Sequence, residues 1–320
     1  MTLKEFFDVW NDQEDTLLVH TSGSTGEPKP LLVEKKRMMA SAKMTCNFLN
    51  LKQGNVALLC MPLDYIAGKM MVVRALVAQM SLVAIVPTGH PMADEMVSGL
   101  EIDLAAMVPL QVYNTLKVPE EWARLKRVKH LLIGGGALDA QLEEQLRSFP
   151  FHVWATYGMT ETLSHIALRK VNGDDATPWF SPMPGVEVST DEDGCLLVNA
   201  PALCPSVLAT NDIVEMHSDG KRFKVLGRKD NVICTGGIKV QMEQVEAALK
   251  PYITQPFFIT KAKDEKFGEI PVLVVEKGDK KQLEDIISHI LPKYSKPKKI
   301  ILVDQIPLTE TGKPKRFEIC

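Results

Sequence analysis

The chain has 320 residues, 45% of them apolar and 24% charged, with a formal net charge of −3. That length can bury a large core and predicts about two domains, while the acidic balance excludes a general nucleic-acid surface. Six cysteines without a C-x-x-C pair, seven histidines without metal-ligand spacing, and no apolar run near about 18 residues exclude zinc, a disulfide framework, a membrane span and an export leader, and predict a cytoplasmic protein.

In chain order, the first notable stretch is LLVHTSGSTGEPKP, from Leu17 to Pro30. It fails the Walker spacing, because Lys29 follows Gly26 by three positions and Pro28 and Pro30 deny a helix start. A strand, loop, strand unit is therefore predicted. Gly23 and Gly26 free backbone N–H groups to converge on an anion, Thr21, Ser22, Ser24 and Thr25 add hydroxyls, and Lys29 adds charge. Read alone, the loop is equally a turn-rich hairpin.

The apolar runs LLVH, VALLCMP, SLVAIVP, AAMVPL, KHLLIGG and HVWATYG then read as buried strands. KKRMMASAKMTCNFL, GKMMVVRALVAQM and LDAQLEEQLRSF read as helices between them, which predicts a layered α/β architecture. From about residue 182 to 228 only strands and turns are predicted, a small barrel-like subdomain. After it come the helices VQMEQVEAALK and KKQLEDIISHIL and the strands FFIT, IPVLVVE and KKIILVD, a small mobile α+β domain. The expected division is 1–229 and 230–320. The basic run LPKYSKPKK reads as a solvated face or a patch for an anionic substrate.

TSGSTGEPKP, IGGGAL, TYGMTET, ATNDIVEM, LGRKDNVICTGGIKV and TETGKPKR occur in that order. Together they resemble the ordered motifs of the adenylate-forming superfamily of acyl-CoA synthetases, aryl-CoA ligases and carrier-loading adenylation domains. The resemblance implies that an acid and ATP give an acyl-adenylate and pyrophosphate, after which a thiol such as coenzyme A takes the acyl group. It implies that residues 21–29 clamp phosphates, that Tyr157 and Gly158 face adenine, that Thr160 meets phosphate, and that Glu161 holds Mg2+, whose hardness suits carboxylate oxygen. Asp212 matches a ribose ligand, with Asn211 where the family usually has glycine, and Arg228 matches a second nucleotide contact. Gly134, Gly135 and Gly136 match the lining of the adenine and acyl pockets. Lys313 matches the lysine that stabilises charge as pyrophosphate leaves, Asp230 the hinge of the small domain, and Gly236 and Gly237 a strand that approaches the thiol in the second half-reaction.

The wording of MPLDYIAGKMMVVRALVAQM, AAMVPLQVYNTL, LLIGGGALD and SPMPGVEV most resembles the o-succinylbenzoate:CoA ligases of menaquinone biosynthesis. Arg74 is the one charge within MMVVRALVAQM, and an unpaired buried guanidinium is costly, so either a dicarboxylate substrate pairs with it, or it snorkels to solvent or pairs internally. Tyr65 stands where these ligases usually carry a gating histidine. Family members commonly carry well over a hundred residues before the phosphate loop. The short leader here predicts exposed apolar surface, and a homo-oligomer that covers it. Alternatives left open are a ligase for another aryl or aliphatic acid, and a catalytically weak nucleotide- or acyl-binding protein.

Overall fold

The computed structural model describes residues 1–20, 30–307, 314 and 316, which form two compact units. The first comprises Met1–Val188, Val198–Leu208 and His217–Phe223; the second comprises Ser189–Leu197, Ala209–Met216 and the chain from Lys224 onward. In chain order the elements are α1 (Leu3–Trp10), β1 (Thr16–His20), β2 (Pro30–Glu34), α2 (Lys35–Phe48), β3 (Val56–Leu59), α3 (Ile66–Ala78), β4 (Ser81–Ala84) and β5 (Ile102–Met107). There follow α4 (Pro109–Leu116), α5 (Pro119–Leu125), β6 (Val128–Ile133), α6 (Ala140–Leu146), β7 (His152–Gly158), β8 (His165–Lys170) and β9 (Ser181–Pro182). Then come β10 (Glu187–Thr190), β11 (Cys195–Asn199), β12 (Leu208–Met216), β13 (Phe223–Arg228), β14 (Val232–Thr235) and β15 (Ile238–Gln241). The last are α7 (Met242–Leu249), β16 (Phe257–Asp264), β17 (Gly268–Glu276), α8 (Lys280–Ile290) and β18 (Lys299–Val303).

In the first unit a seven-stranded sheet runs β4-β3-β5-β6-β7-β8-β9. The pairings from β4 through β7 are parallel and those of β8 and β9 antiparallel. This is the predicted layered α/β architecture. One face buries Leu58, Ala105, Leu131 and Val153 against Val112, Leu125 and Leu146 of α4, α5 and α6. Because the strands rise together, β3, β5, β6 and β7 end at one edge of the sheet, where ligands of open α/β sheets bind. Along the sheet, His130 lies opposite His152 and Trp154 opposite Lys170. Burial holds the His130 imidazole down to about 4.

Several details differ from expectation, among them α1 and α5, which are unassigned from sequence. AAMVPL is not wholly strand: β5 ends at Met107 and α4 begins at Pro109, whose fixed φ suits the first helical position. HIALRK, unassigned from sequence, is strand β8, buried throughout despite Arg169 and Lys170. Arg169 pairs there with Glu143, and the Lys170 ammonium lies 4.4 Å over the Trp154 ring.

β1 and β2 form a separate antiparallel pair, with Leu18 opposite Leu32 and both side chains exposed. The strands β10 to β13 form a four-stranded sheet in sequential order, as the strand-only stretch predicted. In the second unit β16, β17, β14, β15 and β18 build a five-stranded sheet whose core packs Val245 and Leu249 of α7 and Leu283 and Ile287 of α8 on Ile259 and Leu273. Of the described cysteines, Cys46, Cys60, Cys195 and Cys204 are buried free thiols and Cys234 is exposed. No helix of the described residues is long and apolar enough to cross a membrane.

The start of α3 leaves no room for a side chain at Gly68, where a Cβ would lie 2.2 Å from the Pro62 carbonyl oxygen and 2.8 Å from its carbon. Gly68→Ala is therefore expected to lower the unfolding free energy by about 1–3 kcal/mol, the usual range for overpacking. Urea denaturation measures this, and an unchanged midpoint would mean that the Pro62 backbone yields freely.

Candidate active site

At the end of β7 the register shifts between Tyr157 and Gly158, and the chain leaves the sheet in a tight turn. The Tyr157 ring packs edge-on to Phe223 at 5.1 Å and lies 5.9 Å from Phe180, which fixes its plane. Gly158 is required by space: a Cβ there would stand 2.3 Å from the Ser164 carbonyl oxygen and 2.5 Å from the His165 Cα. Thr160–Thr162 form a single 3-10 turn, which leaves Thr160 buried and Glu161 exposed. Leu163 then adopts φ +67° and ψ −35°, and the Ser164 N–H donates to the Thr162 carbonyl at 2.7 Å. That is a γ-turn of the rarer, strained hand. The Glu161 carbonyl accepts from the Cys204 thiol at 3.5 Å, and its carboxylate joins no ion pair among the described residues. An exposed, unpaired carboxylate beside a threonine is a donor set that fits a hard divalent cation such as Mg2+.

Gly134, Gly135 and Gly136 follow the end of β6, and Tyr65 follows β3 as the N-cap of α3. A Cβ on Gly134 would lie 2.4 Å from the Thr156 hydroxyl, and one on Gly135, at φ +76°, 3.3 Å from Val108. Both glycines thus let the chain lie close against β7 and the start of α4. β1 ends at His20 in a parallel bridge to Tyr65, so the strand entering residues 21–29 stops beside this edge. The phosphate-loop candidates Thr21, Ser22, Gly23, Ser24, Thr25, Gly26 and Lys29, and Lys313, lie outside the described residues.

Arg74 does not snorkel: it is 2% exposed in the middle of α3. One guanidinium nitrogen donates to the Ser164 hydroxyl, another lies 3.6 Å from the Met71 sulfur, and Nε is buried without a hydrogen-bond partner among the described residues. No carboxylate pairs with it among the described residues, and burial brings its pKa down to about 10. His165 next to Ser164 is held well below the usual imidazole range by burial and by the Arg74 charge, and its Nε2 lies 3.0 Å from the Thr45 hydroxyl. Sequence reading missed Lys69 at the head of the same helix. It is 2% exposed and donates to the carbonyls of Leu63 and Asp64 at 2.6 and 3.2 Å, holding the loop before Tyr65. Its four-residue spacing from Tyr65 within an apolar helix was the available signal.

In the second unit, Arg228 at the end of β13 donates to Asp212 at 3.3 Å and to Asp230 at 3.0 Å. Asn211 also donates to Asp230 at 3.3 Å, and the Asp212 N–H donates to the Thr210 hydroxyl at 3.1 Å. The ribose, nucleotide and hinge candidates are thus one charged cluster, with Asp230 in the 3-10 turn Lys229–Asn231 between β13 and β14. Gly236 and Gly237, at φ +57° and +82°, form the two-residue turn joining β14 to β15. Positive φ at both positions is the hairpin geometry that glycine favours.

The AMP-binding enzyme family matches residues 5–199, and the AMP-binding enzyme C-terminal domain matches residues 258–313. A 2-succinylbenzoate–CoA ligase of Geobacillus sp. (strain WCH70) is 25% identical over 98% of this chain and 70% of its own length. The ligase of that name from Salmonella typhimurium is 28% identical over 84% of this chain and 59% of its own. A crystal structure of an acyl-CoA synthetase (AMP-forming)/AMP-acid ligase II-like protein from Dyadobacter fermentans superposes with a TM-score of 0.67 at 34% identity, covering 98% of this chain and 91% of that one. The o-succinylbenzoate coenzyme A synthetase of Bacillus subtilis, solved with ATP and magnesium ion, shares the fold at a TM-score of 0.79 and 22% identity, over 93% of this chain and 68% of that one. With its strand-end glycines, its strained Tyr157–Ser164 turn and these matches over most of its length, the chain belongs to the AMP-binding enzyme family.

Proposed function

We propose that the protein is an AMP-forming acid:CoA ligase and that its acid is o-succinylbenzoate, which places it in menaquinone biosynthesis. The observation that carries the choice of acid is Arg74, a buried guanidinium with no carboxylate partner among the described residues. A dicarboxylic acid brings one carboxylate to be activated and a second to pair with such a cation. The names of the curated relatives point the same way.

In the first half-reaction a carboxylate oxygen attacks the α-phosphorus of ATP and the bond to pyrophosphate breaks. In the second, the coenzyme A thiol, giving up its proton, attacks the acyl carbon and AMP leaves. Bound Mg2+ supplies positive charge against the phosphates. We assign Glu161 to holding it and Thr160 to the phosphate oxygens. Tyr157 and Gly158 with Gly134, Gly135 and Gly136 bound the adenine and acyl pockets, and Asp212 and Arg228 hold the nucleotide. Tyr65 lines the acid pocket. Lys29 and its loop steady the terminal phosphates, and Lys313 offsets the charge that develops on the leaving group. Asp230 is the hinge between residues 1–229 and 230–320, and Gly236 and Gly237 approach the thiol. The exposed Leu18 and Leu32 support self-association, and the buried free thiols suit a cytoplasmic setting.

The purified chain is expected to catalyse ATP–pyrophosphate exchange dependent on o-succinylbenzoate and to form the thioester when coenzyme A is added. Exchange with no acid across a broad panel would leave only a nucleotide- or acyl-binding protein. Exchange favouring a monocarboxylic acid would replace the substrate.

Arg74→Met is expected to raise KM for o-succinylbenzoate by about tenfold or more, the loss of a charge-assisted pair, while KM for ATP stays within about twofold. Equal changes in both constants would remove Arg74 from the acid site. Lys313→Ala is expected to slow exchange by about a hundredfold with the acid KM unchanged, the signature of charge stabilisation lost in the transition state. A wild-type exchange rate would take Lys313 out of the first half-reaction.

A further inference from the structure

We propose that Thr162 is a positioning residue for the metal and phosphate site, its hydroxyl fixing the strained turn that carries Thr160 and Glu161. This rests on the assignment of those two residues made above. Thr162 is fully buried at the centre of the turn. Its hydroxyl accepts from the Met159 N–H at 3.0 Å, on the side where the chain enters. It donates to the Ser164 carbonyl at 2.8 Å, on the side where the chain leaves, with the Met159 carbonyl at 3.0 Å as a second acceptor. One hydroxyl therefore ties both ends of a loop whose apex holds Glu161.

The tie matters because the turn does not rest in a low-energy backbone conformation. Leu163 has positive φ, which a leucine adopts only when its surroundings impose it. The Ser164 carbonyl held by Thr162 is also the group that stands where a Gly158 Cβ would be, so the two arms of the turn lie in contact. Removing the hydroxyl leaves the part-buried Met159 N–H and Ser164 carbonyl short of a partner. The turn can then relax, and the exposed Glu161 carboxylate moves with it. Outer-shell groups of this kind orient the residue that meets the metal without meeting it themselves.

The test compares Thr162→Val, which removes the hydroxyl at nearly constant volume, with Thr162→Ser, which keeps it, and with Glu161→Ala, all in the full chain. Acid-dependent exchange is measured against Mg2+ and acid concentration, together with the thermal midpoint. Thr162→Val is expected to shift half-saturating Mg2+ upward by about tenfold, the usual effect of losing an outer-shell partner, with KM for the acid unchanged and Thr162→Ser close to wild type. A folded Thr162→Val with wild-type Mg2+ dependence overturns the inference, and so does a lowered midpoint without a Mg2+ shift, since that is a purely structural role. If the valine variant does not fold, Thr162→Cys, with its weaker hydrogen-bonding thiol, is read by the same criteria. If Glu161→Ala keeps wild-type Mg2+ dependence, the site assignment itself falls and this inference falls with it. A loss in Glu161→Ala alone overturns only the role of Thr162.

Discussion

A guanidinium removed from water is one of the more expensive things a fold can contain, and α3 places one at Arg74 with no carboxylate partner among the described residues. The surroundings mitigate the cost with dipoles instead of a carboxylate. The Ser164 hydroxyl and the Met71 sulfur accept from the guanidinium, and His165 beside it is held well below the usual imidazole range by burial and then by the Arg74 charge. His165 in turn meets the Thr45 hydroxyl of α2. This short polar chain crosses from α3 through the head of β8 to α2. Ser164 belongs to it and also closes the turn bearing Glu161. The helix that supplies the acid-site candidate and the turn that supplies the metal-site candidate are therefore joined through a single serine, whose hydroxyl meets Arg74 and whose backbone closes the turn.

That connection explains why the turn can be strained and still be well defined. Gly158 removes the side chain that would keep its two arms apart, the Thr162 hydroxyl bridges them, Arg74 holds its exit at Ser164, and Cys204 holds its apex at the Glu161 carbonyl. Positive φ at a buried leucine is tolerated when so many contacts specify the same path.

Much of this was legible in the sequence. The strands β3 to β7 announce themselves as short runs dominated by apolar residues, and α2, α3 and α6 by their spacing, because the strands of a parallel sheet are mostly buried. β8 was silent for the opposite reason. Arg169 and Lys170 are charged residues in a buried strand, and they are accommodated by Glu143 and Trp154, which lie elsewhere in the chain. α4 was masked by its own first residues, since Val108 and Pro109 continue the apolar run of β5. At the site, Tyr157, Gly158 and Glu161 stand out as candidates through the resemblance of TYGMTET to the family's motif, and Arg74 as one charge among apolar neighbours. Lys69 offers only its four-residue spacing from Tyr65, and Thr162 offers nothing, because its importance lies in which backbone groups its hydroxyl faces. That is a tertiary fact with no local periodicity.

The cysteines have an experimental use. Burial raises the thiols of Cys46, Cys60, Cys195 and Cys204, Cys60 to about 12, so they are poor nucleophiles at neutral pH. Cys234 lies exposed on β14, one residue from the strand's end at the Gly236–Gly237 turn. Among the described cysteines it is thus the natural attachment point for a thiol-reactive fluorophore. A dye there would sit on the segment proposed for the second half-reaction, so the proposed rotation at Asp230 could be tested by fluorescence without first engineering a handle into the protein.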